Sequence, residues 1–212
     1  MNPAGDQRHL VVTEGDSFRL LDLGAWSEPH GDHSHRYTTE PLLTDLRFAS
    51  DKPGHVVVHG GRTALYGDGN GVVEWFDPAA LATGRRRATH RWENPSPHHG
   101  VALLRKDGSM ITTIGNDHDR VGIRILDRGL REVARNTSCP GTHGEAAAAD
   151  ERVVIGARTA CSSSTAPASA RSRPPMTTAA SATRPAARPP RSCSATTRSR
   201  RTPSSSAPPG SR

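Results

Sequence analysis

The chain has 212 residues, enough for one large domain or two small ones, and a formal net charge of +7. That charge is not spread evenly: ten of the 28 basic residues fall in 157–212, which has no acidic residue, leaving 18 basic against 21 acidic in 1–156. The body is therefore mildly acidic, so the pI of 10.3 describes only the tail and no nucleic-acid partner is expected. No run reaches the roughly 18 apolar residues of a membrane span, so no membrane insertion is expected.

In chain order the first elements are RHLVV (8–12) and FRLLD (18–22), short runs that read as strands. SEPHGDHSHRY (27–37) follows, with His30, His33 and His35 around Asp32. It reads as a flexible insertion after a third strand, reaching out from the rim. Such a loop can offer two or three imidazole nitrogens to a metal, or it can be a polar surface turn.

From Pro53 a pattern repeats. PGHVVVHGG (53–61), PHHGVALLR (97–105) and PGTHGEAAAAD (140–150) each open with a proline and carry a histidine near the start. A second strand follows each: RTALYG (62–67), SMITTIG (109–115) and RVVIG (152–156). A third strand, VVEWFD (72–77) or GIRILD (122–127), ends in aspartate. The turns GDGNG (67–71) and RKDGS (105–109) suit hairpins, and DPAALATGR (77–85) is a single helical turn or a loop. A period near 45 residues with this strand order predicts an all-β, WD40-like partial β-propeller of about three to four blades. Two blades, about 52–96 and 97–140, are reasonably complete. The partial propeller covers 1–156, and 157–212 is a disordered Arg/Pro/Ser/Ala-rich tail, lacking the apolar side chains that would offset ordering entropy. A monomer is expected.

The repeat brings His55, His99 and His143 into phase, 44 residues apart each time. Inner strands of a propeller line a central channel, so one position repeated in successive blades sits at one height around the axis. The three imidazoles are expected to face one another and to hold zinc, with Zn–N distances of about 2.0–2.1 Å. Copper and nickel take the same ligand type. The bland reading is that such histidines make structural hydrogen bonds at blade ends. His98 faces away from His99 in a regular strand, as a second ligand across the turn or a surface residue. Glu145 and Asp117 are candidate acceptors that would orient a ligating imidazole.

Taken together, WSEPHGDHSHRY (26–37), SPHHGVA (96–102) and CPGTHGEA (139–146) resemble the periplasmic zinc metallochaperones of the AztD type. The resemblance runs over roughly 8–156. It implies a secreted propeller that binds zinc and passes it to the solute-binding protein of a zinc ABC importer. It also implies that His99, His143 and the His30–His35 loop handle the metal. Such proteins resemble a closed propeller preceded by a signal sequence. The start MNPAGDQRHLVV lacks that layout, so the chain as written would stay cytoplasmic, and early and late blades are expected to be missing.

The tail invites one more expectation. Two lysines accompany 26 arginines, which suggests GC-rich coding, and sliding the frame by one position yields strand-like text in three places. The tail is thus expected to derive from a frameshift after residue 156; the alternative is a genuine basic arm. By the resemblance, a family cysteine at position 157 would be a disulfide partner for Cys139.

The functional expectation is a zinc carrier with no chemistry of its own, whose affinity falls as pH drops through about 6.5. The alternatives are a metal-free propeller scaffold that binds proteins and a zinc-dependent hydrolase. For the hydrolase, Glu145 is the only good candidate base.

Overall fold

The computed structural model describes residues 1–83, 89–148, 151–158 and 192–195. Alternation of apolar and polar residues produces short antiparallel strands, which are gathered into four successive sheets. The first sheet begins with β1 (Asn2–Pro3), β2 (His9–Thr13) and β3 (Ser17–Asp22). A separate hairpin, β4 (Ala25–His30) with β5 (His33–Thr38), comes next, and β6 (Leu42–Ala49) then closes the first sheet in the order β1-β2-β3-β6. The second sheet is a meander of β7 (Pro53–His59), β8 (Arg62–Gly67), β9 (Val72–Phe76) and β10 (His90–Glu93), with a 3-10 helix at Pro78–Thr83. The third runs β11 (Ala102–Leu104), β12 (Met110–Gly115), β13 (Arg120–Leu126) and β14 (Glu132–Asn136). The fourth holds β15 (Glu145–Ala147), β16 (Val153–Gly156) and β17 (Ser192–Ala195).

Side-chain alternation explains how these sheets stack. From β8, Leu65 joins Phe18, Leu20 and Phe48 of the first sheet, while Ala64 and Tyr66 join Ala102, Leu104 and Met110 of the third. Ile111, one residue after Met110, points the other way and packs with Val153 and Ile155 of the fourth. The middle strands are thus covered on both faces, and all five residues of β9 are buried. Phe48 and Phe76 stack across the first junction with centroids 5.0 Å apart. Buried side chains of this kind contribute about 1.5–3 kcal/mol each. Face-to-face stacking of successive four-stranded meanders is the propeller arrangement, and the described residues form four blades or parts of blades.

Three local expectations need correction. The first 22 residues supply three strands rather than two, because Asn2–Pro3 pairs with Val11 and Leu10. The histidine-rich insertion is a regular hairpin, not a loose loop, since Gly31 (φ 61°) permits a tight two-residue turn and six residue pairs zip behind it. In the tail, Ser192–Ala195 pairs antiparallel with Val153–Gly156, because an extended segment can satisfy the open edge of β16 through its backbone alone. The rest of the tail after residue 158, with the expectations placed on it, lies outside the described residues. No helix among the described residues is long and apolar enough to cross a membrane.

Candidate metal centre

The inner strands β7, β11 and β15 start at one end of their blades, and a histidine stands at or just before each start. The β7–β8 ladder shifts register between Pro53 and Val56, so His55 sits in an irregular stretch that re-aims its side chain. His99 precedes β11 in a turn where Gly100 donates its N–H to Asp68 Oδ1 at 3.3 Å. His143 is tied to the edge of β16, its N–H reaching Gly156 O at 2.9 Å.

The three rings meet, with centroids 4.9, 5.1 and 5.2 Å apart. His99 Nε2 lies 3.3 Å from His55 Nε2 and 3.0 Å from His143 Nε2. Tetrahedral ligation at about 2.0–2.1 Å would set nitrogen ligands about 3.3 Å apart, so the spacing suits a shared ion. His99 Nδ1 is 2.6 Å from Asp68 Oδ2. Its ring therefore donates from Nδ1 to the carboxylate and leaves the Nε2 lone pair facing the other two imidazoles. Burial first, then the neighbouring imidazoles, push the His55 pKa below its usual value. His143 is lowered in the same way, first by burial and then by His99, with Arg120 adding a smaller push. Both effects favour the neutral, ligating form.

A second cluster lies on one face of the β4–β5 hairpin. His30 pairs with His33, Glu28 with His35 and Trp26 with Tyr37, so the period of two brings the three histidines together. Their ring centroids are 5.0–5.2 Å apart, and all three are exposed. Trp26 and Tyr37 stack at 5.1 Å near the hairpin base. There the Arg8 guanidinium lies 3.8 Å over the Trp26 ring while it bonds Asp22 at 2.6 and 2.9 Å. In both clusters the three ligand atoms lie within 4.8 Å of one another, and six of the chain's 11 histidines are taken up by them.

No family model matches the chain. Over 125 residues it is 33% identical to the zinc chaperone AztD of Citrobacter koseri, which is 57% of this chain and 29% of that protein. The crystal structure of Citrobacter koseri AztD matches with a TM-score of 0.62 at 26% identity, over 72% of this chain and 42% of that one. The apo structure of the same protein gives 0.60 at 26% identity over the same shares. The chain is AztD-like. It spans less than half the length of these relatives, which are named as a chaperone and not as an enzyme.

Other expected site residues of the AztD-like chain go elsewhere. His98 is neither beside the trio's nitrogens nor on the surface. It is 3% exposed, with Nδ1 donating to Ser96 O at 2.7 Å and Nε2 2.9 Å from Thr113 Oγ1. Both nitrogens are committed because this ring, in the segment leading into β11, is buried against Ser96 and Thr113. Asp32 bonds His33 Nδ1 at 3.1 Å but stays outside the three-nitrogen set, since the turn faces its carboxylate to solvent. Glu145 lines a 190 Å³ cavity with Val56–Val58 and Leu103, where burial pushes its pKa up to about 7, and among the described residues it makes no hydrogen bond to the three imidazoles. Asp117 sits in the exposed turn between Asn116 and Asp119.

Asp68 takes the orienting role expected of Glu145 or Asp117. Its position in GDGNG reads as hairpin punctuation, and only the return of β8 to the histidine end brings it under His99. Asp68→Asn keeps the shape but removes the charge that holds the His99 tautomer. Zinc affinity measured against a chelating dye should fall about 10–100-fold.

Proposed function

We propose that the chain is the zinc-handling portion of a metallochaperone, which carries zinc as cargo and releases it to the solute-binding protein of a zinc ABC importer outside the cytoplasm. The observation that carries this reading is the convergence of His55, His99 and His143 through Nε2 at ligand spacing, with Asp68 behind His99. The name of the relatives supports zinc as the ion. A disulfide at Cys139, whose partner is not among the described side chains, supports an oxidising compartment.

The chemistry asked of the residues is modest. His99 and His143 are exposed and His55 half-buried, so ligands can be exchanged one at a time from the open side. The hairpin trio, fully exposed, would capture the ion, and the trio at the blade ends would hold it. To test this, the zinc stoichiometry of the full chain is measured with a chelating dye. The parent should take up a tightly bound equivalent that survives His30→Ala, His33→Ala and His35→Ala together. Loss of that equivalent in the hairpin variant would overturn the assignment of the holding site.

Acidification should weaken binding, because protons compete for the ligating nitrogens. Both shifted histidines have pKa values lowered from 6.5, so they stay neutral to a lower pH than an ordinary imidazole. The decline in zinc affinity should therefore set in below about pH 6.5 rather than at it. A titration at fixed total zinc checks this.

A further inference from the structure

The far ends of the same strands build a different kind of site. β7 turns into β8 at Gly60–Gly61, β11 turns into β12 through Arg105–Gly108, and β9 and β10 end there at Phe76 and His90. These turns enclose a 270 Å³ cleft between the second and third sheets, on the face opposite the histidines. Its floor is apolar: Trp75 is 7% and Leu104 6% exposed, and His90 stacks on Trp75 at 5.5 Å. Among the described residues its walls carry Arg62, Arg105, Lys106 and Arg128 against a single carboxylate, Asp107.

The cations are incompletely matched. Arg105 reaches Asp107 only at 3.7 Å, and its Nε is buried with no hydrogen-bond partner. Lys106 is 3.5 Å from Glu151. Arg62 and Arg128 meet no carboxylate among the described residues, and of the Arg62 donors Nη1 goes to Gly61 O at 2.9 Å. A guanidinium left with unfilled donors in a partly desolvated cleft is stabilised by an oxyanion, which can accept two parallel N–H bonds. The aromatic floor selects an anion with an apolar body over a bare inorganic one. The volume, below the roughly 300–1,000 Å³ of drug-sized pockets, limits it to a compact molecule.

We propose that this cleft binds a compact organic carboxylate, its carboxyl group on the guanidiniums of Arg62, Arg105 and Arg128 and its apolar part against Trp75 and Leu104. The test is calorimetric titration of the full chain with phthalate, with inorganic phosphate and benzyl alcohol as comparators. Phthalate should bind saturably, phosphate at least about tenfold more weakly, and benzyl alcohol not at all. Arg62→Ala combined with Arg128→Ala, both exposed positions, should weaken phthalate at least about tenfold, or ~1.4 kcal/mol. Arg135→Ala, which removes a guanidinium bound to Glu132 outside the cleft, should leave it unchanged. The proposal is overturned if phthalate does not bind saturably, or if phosphate or benzyl alcohol binds as tightly. It is equally overturned if the double variant keeps full affinity or if Arg135→Ala weakens binding as much. Zinc plays no part in this readout, so the outcome is independent of the metal reading.

Discussion

His99→Ala should cost the chain its tight zinc binding, with a larger loss than His55→Ala or His143→Ala. The geometry ranks the three. His99 Nε2 is the atom within 3.3 Å of both other ligand nitrogens, and its ring is the one fixed from behind by a carboxylate. Removing it takes away one nitrogen and leaves the remaining two spaced across a gap. It also leaves Asp68 Oδ2 without its imidazole hydrogen-bond partner. The loss should exceed the about 10–100-fold that follows when only an outer partner is removed. The His99 side chain is 44% exposed, so truncation leaves no core cavity and the variant should melt with the parent. Competition with a chelating dye, read beside a thermal melt, separates the two effects. An affinity equal to the parent's would place the tight site elsewhere.

Thr113→Val should produce the largest loss of stability, about 2–4 kcal/mol, read from chemical denaturation. The Thr113 hydroxyl is the hub of a buried network directly beneath His99. It accepts the Val101 N–H at 3.1 Å. It also lies 2.9 Å from His98 Nε2, and since His98 Nδ1 donates to Ser96 O, the hydroxyl proton must go to Nε2. The Tyr66 hydroxyl joins the same oxygen and accepts from Asn94 Nδ2 at 3.2 Å. Valine has the same shape but no polar atom, so a buried N–H and an imidazole nitrogen would both lose their partners. The arrangement tolerates no alternative packing: a Cβ on Gly100 would come within 2.6 Å of Thr113 Oγ1 and 2.5 Å of the Tyr66 ring. Because residues 98 and 100 flank His99, zinc affinity should fall together with stability. Thr113→Ser, which keeps the hydroxyl, should recover most of both. Stability unchanged in the valine variant would mean that these hydrogen bonds are not worth their desolvation.

Much of this molecule is written locally. Strands β2, β3, β7, β8, β9, β12, β13 and β16 follow from β-branched and aromatic runs between Gly, Asp and Asn turns. The spacing of 44 residues by itself phases His55, His99 and His143. Strands with little apolar signal carry no such local mark. Asn2–Pro3 pairs only because β2 offers it an edge, and the hairpin around Gly31 carries mostly polar side chains on exposed positions.

What the sequence determined by itself was the periodicity, and with it the all-β class, the blade order and the histidines that share a level. A short-range pattern can do this because strand alternation and turn chemistry involve neighbours only. Tertiary structure alone decided which way each ring faces and what stands behind it. His98 and His99 are adjacent, yet one is locked to Ser96 and Thr113 in the core and the other opens onto Asp68, 31 residues away. The Arg-lined cleft likewise gathers residues from three separate turns and from β9 and β10. Such pairings depend on the distance between blades after stacking, and that distance is set by buried contacts remote in the chain.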